Sequence, residues 1–212
     1  MKAYLAECVG TFFLVFVGTG AIVVNDIVSG SVTHVGISAV FGLVVMVLIY
    51  CFGDTSGAHF NPVVTLAFAS LRKFPFRKVP HYIAAQFLGA LAASLVLKTL
   101  FPSHTTLGTT LPSAGNFPAF VFELLFTFLL VIVILNIATG AKEKGLLAGI
   151  AIGGTVGLEA LMGGPISGAS MNPVRSLAPA ILSGQFSGIW IYVSAPLIGA
   201  ALAVFFYRLL KA

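Results

Sequence analysis

Charge is scarce in this chain. Eleven Lys and Arg and six Asp and Glu make up only 8% of its 212 residues, 58% are hydrophobic, and the mean hydropathy is +1.08. A soluble domain carries about 25% charged residues, so an ordinary water-soluble globule is excluded. Cysteine is scarcer still. Cys8 and Cys51 both fall in apolar segments, which excludes a disulfide framework and a thiolate metal site; both read as small buried hydrophobes. The sequence offers no nucleophile–base pair, metal-ligand cluster or phosphate loop, and its connections are short. An enzyme is therefore excluded, and no cofactor or metal is expected. The net charge of +5 is thinly scattered between apolar spans, which argues against a nucleic-acid partner.

What is present suits a bilayer. The 22 residues from Ala3 to Val24 contain a single charge, Glu7, and about 20 apolar residues suffice to cross the hydrocarbon core. The run is too long for a signal peptide and has no cleavage site. Six such segments are expected, near 3–24, 35–53, 79–101, 117–139, 146–163 and 187–210. Two further apolar stretches, 61–71 and 172–183, are too short to span, and each begins with Asn-Pro. With the N-terminus taken as cytoplasmic, Lys2, Arg72, Lys73, Arg77, Lys78, Lys142, Lys144, Arg208 and Lys211 fall on the inner side and Lys98 alone on the outer, Arg175 being set aside in a short segment. That asymmetry predicts six spans with both ends in the cytoplasm.

The chain also repeats itself. Residues 56–67 match residues 167–178 at eight of twelve positions, an offset of 111. Tyr82, Ala85 and Gly89 match Tyr192, Ala195 and Gly199 at an offset of 110, and Glu7, Thr11 and Phe12 match Glu123, Thr127 and Phe128 at an offset of 116. Three spans per half is an odd number, so the second half must enter from the opposite face. The expected architecture is one all-α membrane domain, 1–212, built from inverted repeats over about 1–105 and 115–212, with six transmembrane helices and two re-entrant half-helices that mark the pathway. Asn caps helices and Pro suits their first turn, so Asn61-Pro62 and Asn172-Pro173 read as half-helix starts whose tips meet near the midplane. A lone Asn-Pro would be only a turn signal; two in matched repeats are more. Each tip carries roughly +0.5 of a charge. Two tips facing a wet centre repel cations, and the Asn amides can orient a passing water and break a proton wire.

SGAHFNPVVT and SGASMNPVRS resemble the paired Asn-Pro-Ala boxes of the aquaporins, the major intrinsic proteins, and the likeness extends through AECVGTFFL at Ala6–Leu14 to essentially the whole chain. The flanking GPISGASMNP is most similar to the nodulin-26-like branch. One departure is Val63 and Val174, where the family usually has Ala, so packing behind the asparagines is altered. The resemblance implies a homotetramer with one pore per subunit, in a plasma or cell inner membrane, and passive passage of water, with other small neutral solutes as further candidates, while ions and protons are excluded. It also implies a four-residue filter outside the boxes, carried over by spacing as Phe41, Ala160, Ala169 and Arg175, with Glu159 the alternative to Ala160 should the register shift by one. Water channels usually carry His at the position of Ala160; Ala leaves a wider pore, so glycerol, urea, ammonia and arsenous acid are further solutes to consider. Ser176 after the Arg is as in water channels.

Intramembrane charges are functional candidates by default. Arg175 is expected as a filter cation, a salt bridge being the plainer role. Glu7 and Glu123 could serve proton coupling, but the resemblance implies that they accept hydrogen bonds from irregular backbone. For Glu159 two roles are open, loop support over 163–171 or lining the outer mouth. For His59 a place in the inner pore wall, a pH gate and a structural role are all open, and Asp54 is expected near the inner entrance. Two other classes stay in view: a coupled transporter, which would need an ion site, and a structural tetramer with little transport.

Overall fold

The computed structural model describes residues 1–138 and 146–211, all helix and loop with no strand among them. Lys142 and Lys144, counted above on the inner side, lie outside the described residues. The elements are α1 (Lys2–Ile27), α2 (Thr33–Ser56), α3 (Pro62–Ser70), α4 (Val79–Leu100, led by a 3₁₀ turn at Phe76–Lys78), α5 (Asn116–Ala138), α6 (Ala148–Ser167), α7 (Pro173–Ser183) and α8 (Ile191–Lys211). Two long helices, one short and one long thus occur twice in succession.

Six of these helices are long and apolar enough to cross a membrane. Helices α3 and α7, of 9 and 11 residues, reach only about 14–17 Å at 1.5 Å per residue, half of a hydrocarbon core. Each is defined by its sequence. Asn61 and Asn172 take extended backbone and accept from the N–H of Val63 and Val174, and Pro62 and Pro173 follow, where a missing N–H leaves nothing unpaired. The preceding helices α2 and α6 stop at Gly57 and Gly168, with φ of 85° and 83°, a conformation that glycine adopts without steric penalty.

The long helices pack as related pairs. Helix α1 lies on α4 as α5 lies on α8, and α2 and α6 form the seam between them. Both half-helices pack against α4 and α8, so each is gripped by a span from either half of the chain. The closest approach in each pair is set by one glycine. A Cβ on Gly89 would sit 2.1 Å from the Cys8 carbonyl oxygen, and one on Gly199 2.3 Å from that of Leu124. In a bilayer, small residues at crossings let backbones come this near.

The distribution of polarity is inverted relative to a soluble protein. Leu43, Val47, Leu88, Leu158 and Phe205 face outward, while Glu7, Gln86, Glu123, Glu159 and Arg175 are almost completely buried. The protein is thus a multi-pass integral membrane protein whose lipid-facing side chains are apolar and whose polar groups turn inward. Cys51 departs from the expectation of burial. It lies exposed on α2, and Cys8 is only partly buried; an apolar setting there means a lipid-facing surface. Val63 is fully buried among Val131, Leu135, Ala203 and Val204 of α5 and α8, and Val174 lies in the main core. The extra methyl groups behind both asparagines are packed.

Gly89→Ala and Gly199→Ala force backbone apart where no flexible side chain can yield. Each is expected to destabilise the protein by about 1–3 kcal/mol, read as a lowered melting temperature of the purified protein in detergent, whereas Gly154→Ala, with open space around it, is expected to leave it unchanged.

Candidate pore and its scaffold

Two irregular segments, 57–61 and 168–172, run into the half-helices, and their conformations match residue for residue. Gly57, Ala58 and Phe60 have positive φ, as do Gly168, Ala169 and Met171. Left-handed backbone is unfavourable for residues with a Cβ and persists only where its surroundings fix it. Here a buried carboxylate fixes each. Glu7 accepts from the backbone N–H of His59 (2.9 Å) and Phe60 (2.8 Å), from Ser56 Oγ and from Gln86 Nε2 (both 2.7 Å). Glu123 accepts from the backbone N–H of Ser170 and Met171 and from Ser167 Oγ, all at 2.8 Å. Tyr82 and Tyr192 complete the symmetry by donating to the carbonyls of Ser56 and Ser167. Non-helical backbone at membrane depth needs this internal satisfaction. The carboxylates are committed to it and do not line the cavity.

The half-helix tips are tied to each other. Asn61 Nδ2 donates to the Met171 carbonyl at 2.8 Å, and Asn172 Nδ2 donates to the Phe60 carbonyl at 2.9 Å. Each Oδ1 is already held by its own half-helix, at 3.0 Å from Val63 N and 3.2 Å from Val174 N. An amide nitrogen has two hydrogens, so each asparagine keeps a second donor. Both asparagines line a cavity of about 770 Å³. At one end the cavity is bounded by Asp54, Lys73 and Phe74; it passes His59 and the two asparagines and reaches Ala169, Phe41 and Arg175.

Arg175 is 1% exposed. Its Nη1 donates to the Gly108 carbonyl at 2.7 Å, and its Cζ stands 5.0 Å from the centre of the Phe41 ring, within cation–π range. Its Nε and Nη2 are buried without a hydrogen-bond partner among the described residues, and the side chain lines the cavity. Thr110, Ser170 and Ser176 form a hydroxyl cluster beneath it, with Ser170 Oγ also donating to the Asn172 carbonyl.

The cavity therefore brings together Phe41, Asn61, Ala169, Asn172 and Arg175 of the residues expected at the pathway. Pro62, Val63, Pro173 and Val174 are buried in the scaffold. Ala160 is buried but does not line the cavity; Val156, one turn earlier on α6, does. Glu159 is fully buried, and neither carboxyl oxygen has a partner among the described residues, so it makes no hydrogen bond to the 163–171 loop. His59 lines the cavity within an aromatic cage, stacked on Phe68 with centroids 5.0 Å apart and edge-on to Phe74, with Nδ1 3.0 Å from Thr65 Oγ1. Gly108 is the partner that sequence reasoning missed. Its φ of 71° turns a loop carbonyl toward Arg175, and its only signal in the sequence is a glycine in a polar loop.

Paired half-helices capped tip to tip inside six spanning helices define a membrane pore protein. The comparisons agree. The sequence matches the major intrinsic protein family over residues 1–207. It is 47% identical over 212 residues to nodulin-26 of Glycine max, covering 100% of this chain and 78% of that one, and 46% identical to aquaporin NIP1-1 of Oryza sativa subsp. japonica, covering 100% and 75%. The X-ray structure of the aquaglyceroporin from Plasmodium falciparum superposes with a TM-score of 0.84 at 28% identity, over 97% of this chain and 94% of that one. The chain belongs to the major intrinsic protein family.

Glu123→Ala would leave the Ser170 and Met171 N–H groups buried without an acceptor. At about 1–3 kcal/mol per unpaired group, it is expected to lower the melting temperature sharply or prevent accumulation of folded protein. Glu7→Ala is expected to do the same through His59 and Phe60. Both are checked by size-exclusion yield and thermal melting.

Proposed function

We propose that this protein is a passive transmembrane channel for water that excludes ions and protons and passes other small uncharged solutes as secondary permeants. The observation that carries the reading is the pair Asn61 and Asn172, cross-bonded through one amide hydrogen each and lining the same cavity. The free second hydrogens offer a water two donors. A water that accepts from both turns its own hydrogens away along the pore, which interrupts proton transfer, and the two helix tips add positive potential against cations. Beyond them, Phe41, Ala169 and Arg175 line the selectivity filter, with Ala160 completing it from behind the cavity wall on α6, and the Arg175 guanidinium supplies the positive charge at this level.

The two halves, about 1–105 and 115–212, enter the membrane from opposite faces, with both termini cytoplasmic in a plasma or cell inner membrane. Membership of the major intrinsic protein family supports assembly as a homotetramer with one pore in each subunit. A second reading, in which the main permeant is glycerol, ammonia or a metalloid acid such as arsenous acid, is favoured by the small side chain of Ala169 beside Phe41 and Arg175 in the cavity lining and by the likeness to an aquaglyceroporin.

Stopped-flow light scattering on proteoliposomes decides between them. Water flux well above that of protein-free vesicles is expected, and none would defeat the first reading; parallel glycerol, urea and arsenous acid gradients rank the second. Arg175→Val removes the filter cation and is expected to admit protons or small cations while water flux persists. Unchanged exclusion in a pH-dye vesicle assay would remove Arg175 from that role.

A further inference from the structure

Helix α6 contains a proline, Pro165, two residues before its end. Proline has no N–H, so the carbonyl four residues earlier loses its helical donor. That carbonyl belongs to Leu161, the residue after Ala160. Its donor comes instead from another helix: His34, in the first turn of α2, stands with Nε2 2.7 Å from the Leu161 oxygen. A carbonyl oxygen only accepts, so Nε2 carries the hydrogen. A Cβ on Gly164 would come within 2.8 Å of His34 Cε1.

This bond closes one end of the α2–α6 seam. Further along, the two backbones touch directly, a Cβ on Gly42 falling 2.7 Å from the Gly153 oxygen. Between the glycine contact and the His34 bond, α2 carries Phe41, and α6 carries Ala160 immediately beside the bonded carbonyl. Val156, which lines the cavity, lies in the same stretch of α6, so the cavity walls of α2 and α6 are held at a separation set by these two contacts.

We propose that His34 is a positioning residue for the filter: it supplies the hydrogen bond that Pro165 denies to Leu161 and thereby fixes the distance between Phe41 on α2 and the cavity wall of α6 at Val156, with Ala160 behind it. The proposal rests on the filter reading given above. His34 itself touches no permeant.

A mutant cycle in proteoliposomes tests it, with fluxes normalised to folded protein. His34→Ala frees α2 from α6. One net hydrogen bond of about 1 kcal/mol shifts a population by about fivefold, and the ratio of glycerol to water flux is expected to rise by that order. His34→Gln, which can again place an amide N–H near the carbonyl, is expected to restore the ratio. Gly164→Ala pushes the ring aside and is expected to act like His34→Ala. Pro165→Ala returns a helical N–H to the Leu161 oxygen, so in that background His34→Ala is expected to change nothing further. The proposal is overturned if His34→Ala leaves the ratio unchanged, or if it shifts the ratio equally with and without Pro165. The same cycle read on melting temperature keeps the two readings apart. Non-additivity of His34 and Pro165 there would uphold the bond even if the wild type passed no water, a result that would sink the channel reading alone; additive melting shifts would sink the bond.

Discussion

Two amide–carbonyl bonds hold this structure's centre. Asn61 reaches across to Met171 and Asn172 reaches back to Phe60, so each half-helix is fixed by the backbone that precedes the other. The exchange demands that two helix N-termini, each bearing partial positive charge, face each other at close range. Nothing in two isolated half-helices favours this. What makes it possible is that the carbonyls of Phe60 and Met171 are turned toward the opposite asparagine, and this in turn requires left-handed backbone at residues 58, 60, 169 and 171. The strain there and the electrostatic cost of the tip-to-tip meeting are offset by Glu7 and Glu123, whose negative charges lie behind the segments and accept their N–H groups.

The buried charges consequently divide by function. The two carboxylates are saturated with donors and face protein, so they hold the scaffold. Arg175 is anchored through Nη1 to Gly108 and lines the cavity. A coupled transporter would need a carboxylate with free oxygens beside the asparagines, whereas Asp54 stands at one end of the cavity. Glu159 has no hydrogen-bond partner among the described residues but does not line the cavity, and Glu7 and Glu123 are occupied. Gly89 and Gly199 serve the same end from outside, because α4 and α8 grip both half-helices and their own approach to α1 and α5 fixes how tightly they do so.

Much of this was legible in the sequence, for identifiable reasons. Spanning helices announce themselves because lipid tolerates few alternatives to an apolar run of the right length. The half-helix starts were visible because Asn-Pro is a cap signal and occurred twice at one offset. Glu7 and Glu123 stood out as charges in apolar surroundings. What was not legible depended on how side chains face. Spacing placed Ala160 at the filter; it lies buried on the same face of α6 as Val156, which lines the cavity one turn earlier. Cys51 sits in an apolar segment, but hydropathy does not separate a lipid-facing position from a core one, and it is exposed. Contacts brought from afar, such as Gly108 on Arg175 and His34 on Leu161, leave no local pattern, although Pro165 inside a helix does announce an orphaned carbonyl.

The central claim is that the crossed asparagines face water. A structure in lipid at a resolution that shows ordered solvent tests it most directly. The account predicts a single file of waters through the cavity, with one oxygen about 2.9 Å, the usual hydrogen-bond distance, from both Asn61 Nδ2 and Asn172 Nδ2. A dry centre, closed by apolar side chains between the two asparagines, would contradict it.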